Sequence, residues 1–278
     1  MPPERQVDDI LAQFPGARPL GKGGQKVVFT IEHPQFGRCV LKIGFYSSRQ
    51  GLERIQREVA ILQELRSPYF PRHFSFTLIE PDRYFILEEF LEGPTLDAAF
   101  PDFLSELAAC TLGRHLTSAL SLLWEKRIVH RDLKPENVII SPDRPKIIDL
   151  GIARLLDAES LTQTYAPYGP CTPNYASPEQ LENRKRDIDP RTDQFALGIL
   201  LAQVLIGGEH PFSPGLVGGD SIPDNILAAH WAREAVRKVA SPLMLTTVSR
   251  LLGREPYMRF RTAADISAAF GDLLRSQP

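Results

Sequence analysis

His130-Arg131-Asp132-Leu133-Lys134-Pro135-Glu136-Asn137, followed further on by Asp149-Leu150-Gly151, is the part of the chain that decides its reading. Between the two runs, Val138–Ile140 and Lys146–Ile148 are β-rich and flank the turn Ser141-Pro142-Asp143-Arg144-Pro145, which predicts an antiparallel hairpin. Asn137 lies just before the first of these strands and Asp149 just after the second, so strand pairing brings the two together. An amide oxygen and a carboxylate then meet at the open end of one hairpin, with Asp132 a short way upstream. Mg²⁺, with Mn²⁺ as an alternative ion, suits such a supply of few protein oxygens completed by water and phosphate. The bland reading of each piece alone is an acidic turn or a solvated loop. The two runs in this order and at this spacing argue against it.

Outward from this segment the chain changes character once. Val7, Ile10, Leu11 and Phe14 recur at helical spacing, predicting a short helix before Pro15 in an N-terminal extension, residues 1–15. Val27–Ile31, Cys39–Ile43 and Tyr84–Leu91 read as strands, the first two joined by a turn at His33-Pro34-Gln35-Phe36-Gly37. Leu52, Ile55, Val59, Leu62 and Leu65 mark one face of a helix. After Pro94 helical periodicity dominates, over 103–126, 191–206, 224–239, 242–252 and 262–275. The expected class is α+β, with a small β-rich lobe (16–91), a larger helical lobe (92–278), and a ligand cleft between them.

Composition narrows the function. The 278 residues carry 32 Lys and Arg against 34 Asp and Glu, a formal charge of −2, so no global positive field tracks a nucleic acid backbone. With 43% hydrophobic and 24% charged residues the chain can bury a core. Cys39, Cys110 and Cys171 are widely spaced and form no Cys-x-x-Cys pair, which fits a reducing, cytoplasmic compartment. The start of the chain is too charged for a secretory signal. The apolar stretch Phe195–Ile206 is interrupted by Gln203 and too short to span a bilayer.

Asp132 can accept a hydroxyl proton and Lys134 can neutralise a transferring phosphoryl group. On these residues the sequence resembles the eukaryotic-like Ser/Thr protein kinase family, over residues from about 18 to 275. The resemblance implies a bilobal fold with ATP and Mg²⁺ in the cleft. It makes Asp132 the catalytic-loop base and Lys134 a contact of the γ-phosphate. Asn137 and Asp149 become the metal ligands, and His130 and Leu150 packed positions that align the loops. His130 is read as a satisfied core histidine rather than a catalytic one.

The same resemblance assigns the nucleotide side. Leu20-Gly21-Lys22-Gly23-Gly24-Gln25-Lys26-Val27-Val28 is similar to the loop over the ATP phosphates, where glycine lets backbone N–H groups approach an anion. Gly21, Gly23 and Gly24 are the phosphate-side positions, while Lys26 replaces the loop's usual third glycine. Lys42 matches the strand lysine and Glu58 its helix partner, each solving the other's burial problem. Val28 and Val40 roof the adenine, Ile139 floors it, and Glu89 and Leu91 fall at the hinge. Glu88 falls beside Lys42 at a position the family keeps apolar. Two readings stay open there: an offset of one in the alignment, or competition with Glu58 for Lys42.

Downstream, Cys171-Thr172-Pro173-Asn174-Tyr175-Ala176-Ser177-Pro178-Glu179 resembles the end of an activation segment. Arg259 is the expected ion-pair partner of Glu179, and Asp193 the anchor of the catalytic-loop backbone. Thr172 with Lys134 implies Ser or Thr acceptors on protein substrates. Arg131 implies activation by phosphorylation, with Thr162 or Thr164 as autophosphorylation sites and a separate regulatory partner as a further expectation. A nucleotide-gated scaffold without activity and a small-molecule kinase are the competing readings. Lys26, Val40 and Glu88 motivate the first; Thr172 and Ser177-Pro178-Glu179 weigh against the second.

Overall fold

Apolar side chains at every second position make the first part of the chain a sheet with two distinct faces. The computed structural model describes residues 7–23, 26–46, 48–79, 81–102, 104–149, 154–155 and 171–276, by backbone alone at 22, 23, 54, 57, 58, 62, 102, 154 and 155. Two compact units result, Met1–Glu92 and Gly93–Pro278.

In the first unit β1 (Arg18–Gly23), β2 (Lys26–His33), β3 (Gly37–Phe45), β4 (His73–Ile79) and β5 (Arg83–Glu89) form an antiparallel sheet in the order β1-β2-β3-β5-β4. The β2–β3 hairpin runs in register from Lys26↔Gly44 to His33↔Gly37. Gly37 closes its turn at φ +70°, the left-handed conformation such hairpin loops ask of glycine. One sheet face buries Phe29, Ile31, Cys39, Leu41, Ile43, Phe85 and Leu87 against Val7 and against Ile10 of α1 (Asp8–Leu11). Asp9 of α1 is tied to Arg83 of β5 at 2.7 Å. The opposite face packs Tyr84 and Ile86 against Val59 of α2 (Arg49–Glu64). Ser48 starts α2 earlier than the apolar periodicity suggests, because its hydroxyl accepts the Gly51 N–H at 3.1 Å.

The second unit is helical: α3 (Leu96–Ala99), α4 (Glu106–Glu125), α5 (Pro178–Leu181), α6 (Pro190–Leu205), α7 (Pro214–Val217), α8 (Ile222–Leu227), α9 (Arg233–Val239), α10 (Pro242–Leu251) and α11 (Ala263–Ser276). α6 is buried nearly throughout; apart from Gln203 its stretch Phe195–Leu205 is apolar on all sides, and the polar Thr192, Asp193 and Gln194 at its start are buried with it. It packs against α4 and α10, and α11 covers α4. Short strands accompany the helices: β6 (Ile128–Val129) pairs with β9 (Arg154–Leu155), and β7 (Val138–Ile140) with β8 (Pro145–Ile147).

The expected helix over 224–239 is two helices. Ala229 takes a left-handed φ of +53°, which stops α8, and the Ala232 N–H donates to the Pro211 carbonyl rather than to a preceding helical turn. The second strand of the catalytic hairpin lies one residue earlier than expected, and β5 ends at Glu89. Among the described residues no helix is long and apolar enough to cross a membrane.

Candidate active site

The β7–β8 hairpin does what its sequence promised. Val138 pairs with Ile147, and the Ile148 N–H donates to the Asn137 carbonyl at 2.9 Å, so Asn137 and Asp149 emerge side by side from the strand ends. Asn137 is buried, and its Nδ2 donates to the Asp132 carbonyl at 2.9 Å and to Asp132 Oδ2 at 3.4 Å. The amide nitrogen is thereby committed, and Oδ1 is the atom left to meet a cation. Asp149 is exposed and holds a left-handed φ of +62°. For a residue with a Cβ that conformation is costly and typical of functional turns. A carboxylate and an oriented amide oxygen are hard-oxygen donors, so this pair fits a divalent cation of the Mg²⁺ type. Leu150 and Gly151 lie outside the described residues.

Asp132 is gripped from three sides. Its Oδ1 accepts the Thr172 backbone N–H at 3.0 Å, its Oδ2 lies 3.1 Å from Lys134 Nζ, and its own N–H donates to His130 Nδ1 at 3.2 Å. Lys134 Nζ also donates to the Thr172 hydroxyl at 2.9 Å. Thr172 thus reaches both residues with two different groups: its backbone nitrogen for the aspartate and its hydroxyl for the lysine. The carboxylate and ammonium both remain partly exposed, at 16% and 23%. They are fixed yet reachable.

The loop beneath is held by Asp193 of α6. Its Oδ2 accepts from the His130 N–H at 3.0 Å and from Trp124 Nε1 at 2.9 Å, while Oδ1 accepts from the Arg131 N–H at 2.9 Å. Burial drives the Asp193 carboxyl above its usual range, and the N–H donors of Trp124, His130 and Arg131 pull it partly back. His130 is fully buried; burial holds it below 6.5, so it packs as a neutral ring. Its Nδ1 is satisfied by Asp132, while Nε2 has no partner among the described residues. Arg131 takes a left-handed φ of +70°, and its carbonyl accepts from Gln180 Nε2 at 2.9 Å.

A second buried lock stands behind the first. Arg259 and Glu179 are paired at 2.7 and 2.9 Å with side chains 0% exposed, and Thr192 Oγ1 donates to the same carboxylate at 3.0 Å. Arg259 also donates to the Arg191, Gly253 and Arg254 carbonyls. Trp124 and Gln180 are supporting residues that the motif reading passed over. Gln180 carries a local signal, since Ser177-Pro178-Glu179-Gln180 has the form of a helix-capping box. Trp124 carries none.

In the first unit, Gly21 and Gly23 lie on β1, opposite Val28 and Lys26 of β2; Gly24 lies outside the described residues. Val28, Lys42, Val40 and Glu88 share one sheet face, since Val28 pairs with Lys42 and Val40 with Glu88. Lys42 Nζ meets Glu88 Oε2 at 2.7 Å. Glu88 therefore sits in register beside the lysine and engages it directly. The side chain of Glu58 lies outside the described residues. Glu89 points to the other face, and its carboxylate accepts the Arg72 N–H at 3.0 Å. Leu91 follows the strand end. In the second unit, Ile139 of β7 bridges to Thr95 and is half buried. Gly93, at φ +124°, has no room for a Cβ, which would stand 2.2 Å from the Ile140 carbonyl.

Comparison with known proteins agrees with this geometry. The model of the protein kinase domain family matches residues 15–266. Serine/threonine-protein kinase pkn2 of Myxococcus xanthus is 32% identical over 276 residues, covering 92% of this chain and 32% of the relative. Serine/threonine-protein kinase Pkn1 of the same organism is 31% identical, covering 89% and 36%. Serine/threonine-protein kinase PknD of Mycobacterium tuberculosis is 27% identical, covering 97% and 41%. The chain spans about a third of the length of the first two of these relatives. With a five-stranded antiparallel sheet in one unit, a helical second unit and a family match over most of its length, the chain belongs to the protein kinase domain family.

Proposed function

We propose that this domain is an ATP-dependent serine/threonine protein kinase. The arrangement that carries the reading is Asp132 held by the Thr172 backbone while Lys134 bridges the Asp132 carboxylate and the Thr172 hydroxyl. In the reaction the oxygen of a protein Ser or Thr hydroxyl forms a bond to the γ-phosphorus, and the bond from that phosphorus to the β–γ bridging oxygen breaks. The hydroxyl proton goes to Asp132, and the leaving electron pair stays on ADP. Lys134 offsets charge on the transferring group. Because the transition state is loose, positioning and charge stabilisation supply most of the acceleration.

The nucleotide side follows the family resemblance. Lys42 holds the α- and β-phosphates, the backbone at Gly21, Gly23 and Gly24 approaches the phosphate oxygens, Val28, Val40 and Ile139 enclose the adenine, and Glu89 and Leu91 meet its edge through their backbones. Glu58 contributes through its α2 position. Asn137 and Asp149 would hold Mg²⁺ or Mn²⁺, which when bound neutralises phosphate charge. Cys39 and Cys110 are buried thiols, in no disulfide among the described residues, which accords with a reducing, cytoplasmic setting.

Arg131, fixed at both its N–H and its carbonyl, is a firm base for pairing with a phosphorylated loop residue, and Thr162 or Thr164 is the proposed autophosphorylation site. Both lie outside the described residues. Incubation with radiolabelled ATP, Mg²⁺ and a generic basic protein, followed by phosphosite mapping, tests the whole reading. Label on protein Ser or Thr is expected, with Thr162 or Thr164 modified on the kinase itself. Label on small metabolites alone, or no transfer, overturns it.

A further inference from the structure

β3 and β5 are paired without a register shift from Cys39↔Glu89 to Phe45↔Arg83. Lys42 therefore lies opposite Ile86, and Glu88 opposite Val40. That makes Lys42 and Glu88 diagonal neighbours on one face, within reach for long side chains. Their charged atoms are 2.7 Å apart, with side chains only 11% and 7% exposed. On the other side of Glu88, β4 brings in His73 as its direct cross-strand partner. Both ring nitrogens of His73 are buried without a hydrogen-bond partner among the described residues. Burial keeps this ring below its ordinary 6.5 despite the nearby Glu88 carboxylate. At neutral pH it is uncharged, so Lys42 supplies the cation for Glu88.

We propose that Glu88 is the positioning residue for Lys42, fixing the ammonium for the nucleotide phosphates from within the sheet. The proposal rests on the reading of Lys42 as the phosphate-holding residue. Strand register is set by backbone hydrogen bonds, so this pairing does not depend on where α2 stands. An ammonium has three N–H donors; one spent on Glu88 leaves two for phosphate oxygens. Neither charge is tolerable alone at this depth, and each compensates the other.

The test uses the full chain with ¹⁵N-lysine labelling, a non-hydrolysable ATP analogue with Mg²⁺, and adenosine, which lacks phosphates. A buried, paired ammonium exchanges its protons slowly, so the wild type should show a Lys42 ¹⁵Nζ signal, assigned by its loss in Lys42→Arg. In Glu88→Gln that signal should vanish, and analogue affinity should fall roughly ten- to a hundredfold, the scale expected for a misplaced binding group. Adenosine affinity should hold. Glu88→Asp should restore part of both losses, and it replaces Glu88→Gln as the readout if the latter does not fold.

A Glu88→Gln protein that keeps the signal and the analogue affinity overturns the proposal. So does tighter analogue binding in Glu88→Gln, which would make Glu88 a competitor of the phosphates. Loss of the signal in Glu58→Gln but not in Glu88→Gln overturns it as well. A wild type that binds neither analogue nor adenosine overturns the nucleotide reading itself, a result distinct from all of these.

Discussion

The two units hold their buried charges by different means. In the second, Asp193 accepts three donors and Glu179 faces a guanidinium that is itself tied to three carbonyls. The two carboxylates are saturated with donors, although His130 Nε2 beside them has no partner among the described residues. In the first, Lys42 meets Glu88 at one short contact, and the neighbouring His73 has two ring nitrogens without a partner among the described residues. The helical unit thus fixes Asp193 and Glu179 by saturating their carboxylates with donors, whereas the sheet unit fixes its lysine by strand register. A fully satisfied network resists movement, because any shift strands a buried polar group. A single pair beside an unmatched ring costs less to rearrange.

The comparison predicts its largest effect at Asp132. Asp132→Asn keeps the shape of the loop but removes the proton acceptor, and phosphotransfer should fall by about 10²–10⁴-fold. Nucleotide affinity, measured by titration, should stay at the wild-type level, because Asp132 belongs to the acceptor side. Undiminished turnover would mean that the saturated network holds something other than the base.

Next comes the lock behind the loop. Glu179→Gln leaves the Arg259 charge buried and uncompensated, which should cost about 3–5 kcal/mol in chemical denaturation. The pair also has a pH signature. Burial raises the Glu179 carboxyl, but the Arg259 hydrogen bonds and charge outweigh that and hold it below 4.5. Its folded value lies below its unfolded one, so the stabilisation is complete above about 4.5 and is lost as pH falls through the folded value. Melting curves from pH 5 to pH 3 should show this loss in the wild type and a flatter response in Glu179→Gln.

What could be read from the sequence follows the same divide. The hairpin, Asn137, Asp149 and Asp132 were legible because their relations are local: a turn, two short strands, a fixed spacing. Glu179, Arg259 and Asp193 were legible as motif residues. The Lys42–Glu88 contact was only half legible, because Glu88 fell beside Lys42 only if the family alignment was not offset by one, and the β3–β5 pairing that places it spans a long intervening stretch of chain. β1, with Pro19, Gly21 and Gly23, has too few apolar positions to show alternation, and its pairing is irregular between Pro19 and Gly21. β4 has apolar residues at Phe74, Phe76 and Leu78, but its register shifts between His73 and Ser75, so Phe74 packs on one sheet face and Phe76 on the other, and the pattern does not mark a single buried face. The α8–α9 break was hidden because apolar spacing runs on across Ala229, whose left-handed turn is closed by local bonds from Ala229 N–H to the Ile226 carbonyl and from His230 N–H to the Asn225 carbonyl, with no glycine there to announce it.

A smaller effect separates charge from geometry at Asp193. Its burial already pushes the carboxyl upward, so an isosteric neutral group should suit the environment. An amide offers only one acceptor oxygen, however, and its NH₂ would face an N–H donor of Trp124, His130 or Arg131. Asp193→Asn should therefore shift the catalytic loop, lowering kcat roughly ten- to a hundredfold with a smaller change in nucleotide affinity. Equal losses in both would indicate global destabilisation instead, and a matched denaturation curve would separate the cases.

The smallest effect probes the unsaturated side. His73 contributes two buried nitrogens with no partner among the described residues, and replacing the ring by an apolar one of similar shape removes that desolvation cost. His73→Phe should be neutral or stabilising by up to about 1 kcal/mol, a sign opposite to that of Glu179→Gln. Burial lowers the folded-state value of His73 below 6.5, with Glu88 raising it and Lys42 lowering it by weaker influences. The unfolded chain therefore binds more protons just below 6.5, and stability falls there as pH is lowered. In His73→Phe that part of the decline should vanish, while the loss below 4.5 that belongs to Glu179 remains. Should His73→Phe instead destabilise by as much as the Glu179 variant, the ring is holding Glu88 against Lys42, and the sheet unit is saturated after all.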